Sequence, residues 1–267
     1  MTRLGLIAGN GIFPLEVAKA ARARGFMIAA VAHVNETLPE LTGLVDEVIW
    51  IKVGELERLI DFFQRAAVSR AAMAGGISRA RLADSFAPDA RALRMLARIG
   101  RFSDDAVLRG LATELESEGI EVIDPVPMLP DVLASAGLLA GPAPTERQVE
   151  DLRIAFAVLA ALGKFDVGQT VAVRDGVVAA VEAAEGTDAA LRRAAAVWGS
   201  GMVVAKGAKS SQDLRFDRPT IGPATIALLG EIGAAVIGVE ARRAMILERE
   251  ATLERARTLG ITVFGCE

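Results

Sequence analysis

The first half of the chain alternates short apolar segments with amphipathic ones, and this alternation most constrains the fold. Leu4–Ala8 is an apolar run that ends in glycines, and a helical pattern follows from Pro14 to Arg24. The same two periodicities continue to residue 123. They predict strands at Phe26–Ala32, Val48–Ile51, Ala71–Ala74 and Ile120–Ile123, and helices at Glu55–Ala67, Pro88–Ile99 and Ser103–Glu118. Strands that alternate with helices form a parallel sheet covered on both faces, so we predict an N-terminal Rossmann-like α/β domain.

The second half has a different pattern and predicts a separate domain. Prolines concentrate between residues 125 and 144, which favours a domain boundary. We therefore predict a first domain over 1–130, a proline-rich linker over 131–144 and a second domain over 145–267. Asp175-Gly176 separates two apolar alternations, which is typical of a tight hairpin. Antiparallel strands next to helices predict a mixed α/β (α+β) domain, with helices at Thr145–Leu162, Asp188–Trp198, Pro223–Glu231 and Glu248–Thr258, and strands at Thr170–Arg174, Val177–Glu182, Met202–Ala205, Ala235–Glu240 and Ile261–Phe264.

The composition removes much of the usual catalytic chemistry. The 267 residues include one histidine (His33), one cysteine (Cys266) and no tyrosine. A Cys/His zinc site, an intrachain disulfide and an iron–sulfur cluster are therefore excluded, and a nucleophile–histidine pair would have to use His33. Carboxylates, Lys and Arg, hydroxyls, backbone amides and a hard metal ion remain. A net charge of −4 and 4% aromatic residues argue against nucleic acid as a partner. The short N-terminal apolar run predicts a strand rather than a signal peptide, so we expect a cytoplasmic protein.

Glycine-rich turns follow the first and fourth predicted strands. Gly9-Asn10-Gly11 and Gly75-Gly76 would let backbone amides approach an anion at the carboxyl edge of a parallel sheet. The first turn resembles half of a dinucleotide fingerprint. However, Pro14 stands at the third glycine position, and Ala32-His33-Val34 replaces the acidic residue expected after the second strand. An NAD role is therefore disfavoured; a phosphate or nucleotide contact by Asn10, Gly11, Gly75 and Gly76 and a plain tight turn remain as alternatives.

The loop 206–218 concentrates charge. If Asp213–Asp217 is extended, its charged side chains share one face and its apolar side chains the other. Magnesium is typically held by one or two carboxylates together with substrate phosphates. The alternative is a solvated loop with internal ion pairs. The candidate residues are Asp213, Arg215, Asp217, Lys206 and Lys209.

A third group of polar residues borders the predicted hairpin. Asp166 and Gln169 precede it and would hydrogen-bond a base or a sugar. Thr187 and Asp188 follow it, at the start of a predicted helix, where they would contact a polar ligand. The alternative for this last pair is that one of them caps the helix.

Four strings, in order along nearly the whole chain, carry a family resemblance. They are Leu4-Gly-Leu-Ile-Ala-Gly-Asn-Gly-Ile-Phe-Pro14, Phe165-Asp-Val-Gly-Gln169, Ala183-Ala-Glu-Gly-Thr-Asp188 and Lys209…Gln212-Asp-Leu-Arg-Phe-Asp217…Pro219-Thr-Ile-Gly222. Together they resemble the LpxI-type UDP-2,3-diacylglucosamine pyrophosphatases of lipid A synthesis. The resemblance implies a two-domain enzyme that cleaves a nucleotide-activated glycolipid to UMP and 2,3-diacylglucosamine 1-phosphate (lipid X) with Mg²⁺. It also implies transient contact with the inner-membrane surface; the oligomeric state stays open, a homodimer being one alternative.

The resemblance suggests a role for each candidate residue. Asp217, with or without Asp213, would hold Mg²⁺ or orient the attacking water. Lys206, Lys209 and Arg215 would neutralise the diphosphate, and the two glycine turns would donate backbone N–H groups. The glucosamine or uridine would contact Asp166, Gln169, Thr187 and Asp188. Two other functions stay open: an Mg²⁺-dependent hydrolase of another nucleotide sugar, and a non-catalytic nucleotide–lipid binding protein.

Overall fold

The computed structural model describes residues 2–78, 86–100, 103–129, 131–209 and 212–267. The chain forms two compact units. Unit 1 consists of Met1–Pro130 and Asp213–Asp217, and unit 2 of Asp131–Gln212 and Arg218–Glu267. A short segment from late in the sequence therefore belongs to the first unit. None of the helices in the described parts of the chain combines the length and apolar character needed to cross a bilayer.

Unit 1 is built on a parallel sheet. Its strands are β1 Arg3–Ala8, β2 Met27–His33, β3 Glu47–Ile51, β4 Arg70–Ala74 and β5 Glu121–Ile123, and its helices are α1 Phe13–Ala23, α2 Leu56–Arg65, α3 Ala90–Ile99 and α4 Asp104–Ser117. Within the described residues the strand order is β3-β2-β1-β4-β5, with every neighbouring pair parallel. The order reverses between β1 and β4, and open parallel sheets bind their ligands at the carboxyl ends of the strands at such a point. Both glycine turns thus follow the strands β1 and β4, where sheets of this kind bind ligands.

The apolar periodicity of the sequence explains how the helices of unit 1 pack. In α2, Leu59, Ile60 and Phe63 are buried on one face while Glu57 and Asp61 are exposed on the other. The buried face joins a core cluster that also includes Val31 and other strand residues. Burying one such side chain stabilises the fold by roughly 1.5–3 kcal/mol.

Unit 2 contains a mixed sheet. Its strands are β6 Gly137–Ala140, β7 Thr170–Arg174, β8 Val177–Val181, β9 Val203–Lys206, β10 Thr220–Ile221, β11 Val236–Glu240, β12 Met245–Ile246 and β13 Thr262–Cys266, and its helices are α5 Glu146–Leu162, α6 Thr187–Trp198, α7 Pro223–Glu231 and α8 Arg249–Thr258. In the described residues the main sheet has the order β6-β13-β11-β9-β7-β8, and β10 pairs with β12. Strands β9, β11 and β13 are parallel, whereas β6, β7 and β8 pair antiparallel with their neighbours. The predicted fold class, a parallel α/β domain followed by a mixed one, is confirmed.

The proline-rich stretch 131–144, predicted to be a linker, includes a strand of the second sheet. Strand β6 pairs antiparallel with β13. A Cβ on Gly141 would lie 2.7 Å from the carbonyl carbon of Ile261, so the chain after β6 runs against the backbone that leads into β13. The prolines thus lie beside a short edge strand, where a missing N–H is tolerated.

The hairpin of β7 and β8 forms at the predicted Asp-Gly turn. Asp175 and Gly176 have positive φ values of 55° and 81°, as a tight hairpin turn requires. The buried carboxylate of Asp151, on α5, accepts hydrogen bonds from the N–H groups of Asp175 at 3.0 Å and Gly176 at 2.8 Å. A buried acid from another element therefore fixes this turn.

Candidate functional site

The two glycine turns of unit 1 lie in direct backbone contact. The N–H of Gly9 donates to the Ala74 carbonyl at 2.8 Å, and the N–H of Asn10 donates to the Gly76 carbonyl at 2.7 Å. A Cβ on Gly9 would lie 2.8 Å from the carbonyl carbon of Gly75, closer than real Cβ contacts, so only glycine fits. Four predicted substrate-binding residues follow the ends of β1 and β4 and are thereby brought together: Asn10, Gly11, Gly75 and Gly76.

Glu36 connects these two turns, although no sequence motif marks it. Its carboxylate oxygen Oε2 accepts hydrogen bonds from Asn10 Nδ2 at 3.0 Å and from the N–H of Ser78 at 3.2 Å. The residue is 4% exposed and follows β2 by three positions. The dinucleotide fingerprint expects an acidic residue immediately after β2. In this chain Asn35 lies there with a φ of 65° and forms a turn. The signal that would have found Glu36 is the turn-forming Asn35 beside it.

His33, the only histidine of the sequence, has a structural position at the end of β2. Its Nδ1 donates to the Ala8 carbonyl at 2.9 Å, and the Thr37 hydroxyl donates to the same carbonyl at 2.6 Å. Burial lowers the pKa of His33, outweighing the opposing effects of the Ala8 hydrogen bond and of the Glu36 charge. The imidazole is therefore neutral at pH 7 and anchors the loop that carries Glu36.

The segment Asp213–Asp217, which belongs to unit 1, is a turn and not the extended segment on which a shared charged face would depend. The N–H groups of Phe216 and Asp217 donate to the Asp213 carbonyl at 3.1 and 3.3 Å. The N–H of Arg215 donates to Asp213 Oδ1 at 3.1 Å, so the aspartate closes the turn with its own side chain. The strand-like alternation that would put three charged side chains on one face is therefore absent from this segment.

Asp213 lies among arginines. Its carboxylate accepts from Arg215 Nη2 at 3.0 Å and lies 3.7 Å from Arg109 Nη1, while its own N–H donates to Asp105 Oδ1 at 3.1 Å. The hydrogen bond from Arg215 is the main reason that the pKa of Asp213 is lowered, and it outweighs the cost of burial. Asp213 is thus a compensated anion that ties the turn to the start of α4.

Arg215 continues this network along α4. Its Nη1 donates to Glu116 Oε1 and to the Val122 carbonyl, both at 3.2 Å. Its guanidinium also lies 4.7 Å from the centroid of the Phe216 ring, and Phe216 packs against the core of unit 1. Asp105, Arg109 and Glu116 lie about a hundred residues earlier in the chain, so no local motif connects them with this turn.

A second polar group lies in unit 2, at the end of β9. Lys209 forms an ion pair with Asp166. Lys206 Nζ donates to the hydroxyls of Thr187 at 3.0 Å and Thr170 at 3.5 Å. The backbone adds further links: the N–H of Gly207 donates to the Gln169 carbonyl at 3.0 Å, and the N–H of Ala208 donates to Glu240 at 2.8 Å. The structure therefore brings together five predicted residues of unit 2: Lys206, Lys209, Asp166, Gln169 and Thr187.

The capping alternative for Thr187 and Asp188 is wrong. The N-cap of α6 is Gly186, which has no side chain and a φ of 83°, and Thr187 is the first helical residue. The Thr187 hydroxyl accepts from Lys206 instead. Asp188 lies in the first turn of α6, where a negative charge complements the helix dipole.

The donor set around the turn limits how a metal ion could be held. Among the described residues no three His, Cys, Asp or Glu side chains are grouped so that they could hold a metal. The carboxylates of this segment are Asp213, which accepts from Arg215, and Asp217. Mg²⁺ typically takes one or two protein carboxylates together with phosphate oxygens and water, and this donor set fits that mode rather than a cage of protein ligands.

Some solved structures are similar to this chain, but the similarity is low. The biotin carboxylase domain of Hydrogenobacter thermophilus 2-oxoglutarate carboxylase matches at a TM-score of 0.31 and 14% identity, over 66% of this chain and 36% of that one. Phosphoribosylglycinamide synthetase from Anaerococcus prevotii matches at a TM-score of 0.28 and 13% identity, over 69% of this chain and 39% of that one. This chain spans little more than a third of their length, and at these TM-scores nothing further follows.

Sequence comparison is far more informative. Residues 3–132 match the model of the LpxI N-terminal domain, and residues 135–264 match that of the LpxI C-terminal domain. The UDP-2,3-diacylglucosamine pyrophosphatase LpxI of Caulobacter vibrioides is 34% identical over 278 residues, which cover 100% of this chain and 98% of that protein. Two domain models in the expected order and a full-length relative lead to one conclusion: the chain belongs to the LpxI family.

Proposed function

We propose that this protein hydrolyses the pyrophosphate bond of UDP-2,3-diacylglucosamine and releases UMP and 2,3-diacylglucosamine 1-phosphate. The observation that carries the proposal is the end-to-end match to a protein named for that activity. The composition is compatible with it, because pyrophosphate hydrolysis needs an oriented water and positive charge on phosphoryl oxygens but no His, Cys or Tyr.

The lysines of unit 2 would bind the diphosphate. The Lys209 side chain is only 12% exposed, and its partner Asp166 is 30% exposed. An ammonium held in a partly dry environment interacts more strongly with a phosphate than one in bulk water. Lys206 Nζ donates to two hydroxyls, which orient its ammonium group. Asp166, Gln169, Thr187 and Asp188 would contact the uridine or glucosamine groups around these two cations.

Asp217 would be the acidic residue at the reacting phosphorus. It would either accept a proton from the attacking water or hold Mg²⁺ together with substrate oxygens, with Asp213 as a secondary ligand. A bound Mg²⁺ supplies Lewis-acid polarisation of a phosphoryl oxygen. Arg215 is already engaged by Asp213 and Glu116, so its first role would be to hold the turn that presents Asp217.

The direct test is incubation of the purified protein with UDP-2,3-diacylglucosamine and Mg²⁺ in H₂¹⁸O, followed by mass analysis of both products. We expect UMP and the lipid phosphate, with ¹⁸O in only one of them, which identifies the attacked phosphorus. Hydrolysis of UDP-N-acetylglucosamine at an equal rate would refute the glycolipid assignment. Tight substrate binding without product would refute hydrolysis itself.

The role of Asp217 is tested by Asp217→Asn, with Asp61→Asn as the matched control. Asp61 is an exposed acid on α2 of the same unit. We expect Asp217→Asn to lower kcat by about 100-fold or more, the range typical of losing a group that stabilises the transition state or carries its proton, with binding still measurable. Asp61→Asn should behave as wild type. A kcat within a few-fold of wild type for Asp217→Asn would remove that residue from the mechanism.

A further inference from the structure

We propose that Glu36 is a positioning residue that holds the two glycine turns of unit 1 in the conformation that binds substrate. It would act through Asn10 and Ser78 rather than by contacting substrate itself. The proposal rests on the proposed function, because the N–H groups of those turns would donate to the nucleotide-activated glycolipid.

The geometry that supports the proposal is a single shared acceptor. Glu36 Oε2 accepts from the Asn10 side chain, which follows β1, and from the backbone of Ser78, which follows β4. The same carboxylate oxygen therefore fixes one donor from each turn. Among the described residues, the backbone hydrogen bonds between the turns are those of Gly9 and Asn10, directly after β1. Glu36 extends this connection to the outer end of the second turn.

Such a connection matters here because a glycine has no side chain of its own to hold its backbone conformation. Gly11 and Gly75 have φ values of 79° and 81°, a region from which glycine readily departs. A site made of backbone N–H groups works only if their directions are preset, and displacements of about 1 Å are costly. Glu36 is 4% exposed and lies on a loop that Thr37 anchors to the Ala8 carbonyl.

The same contacts argue against the role that an acid after a second strand has in dinucleotide-binding proteins. There the carboxylate binds the ribose hydroxyls of the cofactor directly. Here Glu36 Oε2 already accepts from two protein donors, and the residue is buried. A contribution to binding would therefore be indirect.

Three substitutions distinguish the effect of the length of this side chain, meaning how far its acceptor oxygen reaches, from the effect of its charge. Glu36→Gln keeps an acceptor oxygen at the same reach and removes the charge. Glu36→Asp keeps the charge but shortens the side chain by one methylene, and Glu36→Ala removes the acceptor. Asp46→Ala is the matched control: Asp46 accepts from the N–H of Ile28 at 2.7 Å, at the start of β2 and thus at the opposite edge of the same sheet.

Two measurements are made on each variant of the full-length protein. Steady-state hydrolysis of UDP-2,3-diacylglucosamine gives kcat and KM, and hydrogen exchange followed by mass spectrometry reports on peptides containing residues 9–12 and 76–78. Interactions that bind ground state and transition state equally affect KM alone. We therefore expect Glu36→Ala and Glu36→Asp to raise KM by about tenfold or more, with kcat within about threefold of wild type. Both should also speed exchange in both turns, whereas Glu36→Gln should restore both properties and Asp46→Ala should change neither.

The two readouts distinguish failure of this proposal from failure of the proposed function. Wild-type exchange in both turns of Glu36→Ala overturns the positioning role whatever the activity. Faster exchange with an unchanged KM in an active enzyme overturns its connection to substrate. If Glu36→Gln is as impaired as Glu36→Ala, the charge rather than the reach matters, and the proposal is wrong. A wild-type protein that does not hydrolyse the glycolipid refutes the proposed function, and exchange then still decides whether Glu36 holds the turns.

Discussion

Gly9→Ala tests whether close backbone contact between the two glycine turns is essential to the fold of unit 1. The new methyl group would lie 2.8 Å from the carbonyl carbon of Gly75, 2.9 Å from its oxygen, and still closer to the Gly76 oxygen. These atoms are backbone, so they cannot move aside as the end of a long side chain can. The second turn would have to withdraw, breaking the hydrogen bonds from Gly9 to Ala74 and from Asn10 to Gly76.

The expected cost has two parts. Loss of two backbone hydrogen bonds costs about 1 kcal/mol each, and forcing a methyl group into a filled space costs about 1–3 kcal/mol more, so Gly9→Ala should destabilise unit 1 by about 3–5 kcal/mol. For chains of this size the melting temperature falls by about 2–4 °C per kcal/mol, which predicts a decrease of roughly 6–20 °C.

Gly11→Ala is the comparison variant for this measurement. Gly11 has a φ of 79°, and its Cβ would point into open space among the described residues. Its cost is therefore only the left-handed backbone, about 1–2 kcal/mol. Differential scanning calorimetry of both variants provides the test. If Gly9→Ala melts at or above the temperature of Gly11→Ala, the turns do not depend on their contact and the reasoning is refuted.

Three further perturbations test other parts of the molecule. Arg215 lowers the pKa of Asp213 below its ordinary 3.8, so ionised Asp213 stabilises the fold above pH 3.8, and this contribution is lost as the pH falls through the folded-state pKa. Denaturant titrations should show Asp213→Asn less stable than wild type at about pH 6, with the difference in unfolding free energy closing towards about pH 2. Lys209→Met should lower kcat/KM by about 100-fold because it removes a cation from the diphosphate, whereas Lys164→Met, at an exposed lysine of the same unit, should match wild type in the same assay. Asp151→Ala should lower the free energy of unfolding by about 2 kcal/mol because two turn amides lose a charged acceptor, and an unchanged urea midpoint would contradict this.

The regular elements were largely predictable because they follow from local pattern. Strand Val177–Val181 and its Asp-Gly turn, and helix Glu146–Leu162 with its Thr145 cap, lie within a residue of the predicted positions. Strands β10 and β12 were missed because two residues are too few to show a period. Strand β6 was missed because its flanking prolines indicate a loop.

The candidate site was predictable only where its residues lie close together in the sequence. The glycine turns and the lysines at and just after the end of β9 stand out as short motifs. The sequence of 213–217 is compatible with two conformations: Leu214 and Phe216 alternate with charged residues as in a strand, whereas Asp213 is a residue type that closes turns with its own carboxylate. Glu36 and Asp105 were missed because their importance comes from tertiary contacts, which a single sequence does not display.

The membership of Asp213–Asp217 in unit 1 has a consequence for how the protein is made. Asp213 bonds to Asp105, a residue 108 positions earlier, and Phe216 contributes to the same core. When residue 130 leaves the ribosome, the first unit still lacks this piece, and translation needs on the order of ten seconds more to supply it. The nascent first unit must wait with its Phe216 contact surface uncovered until most of the second unit has been synthesised. A gene fragment ending at residue 130 would leave that surface uncovered permanently, so soluble production of this unit alone should require residues 213–217 to be supplied as well.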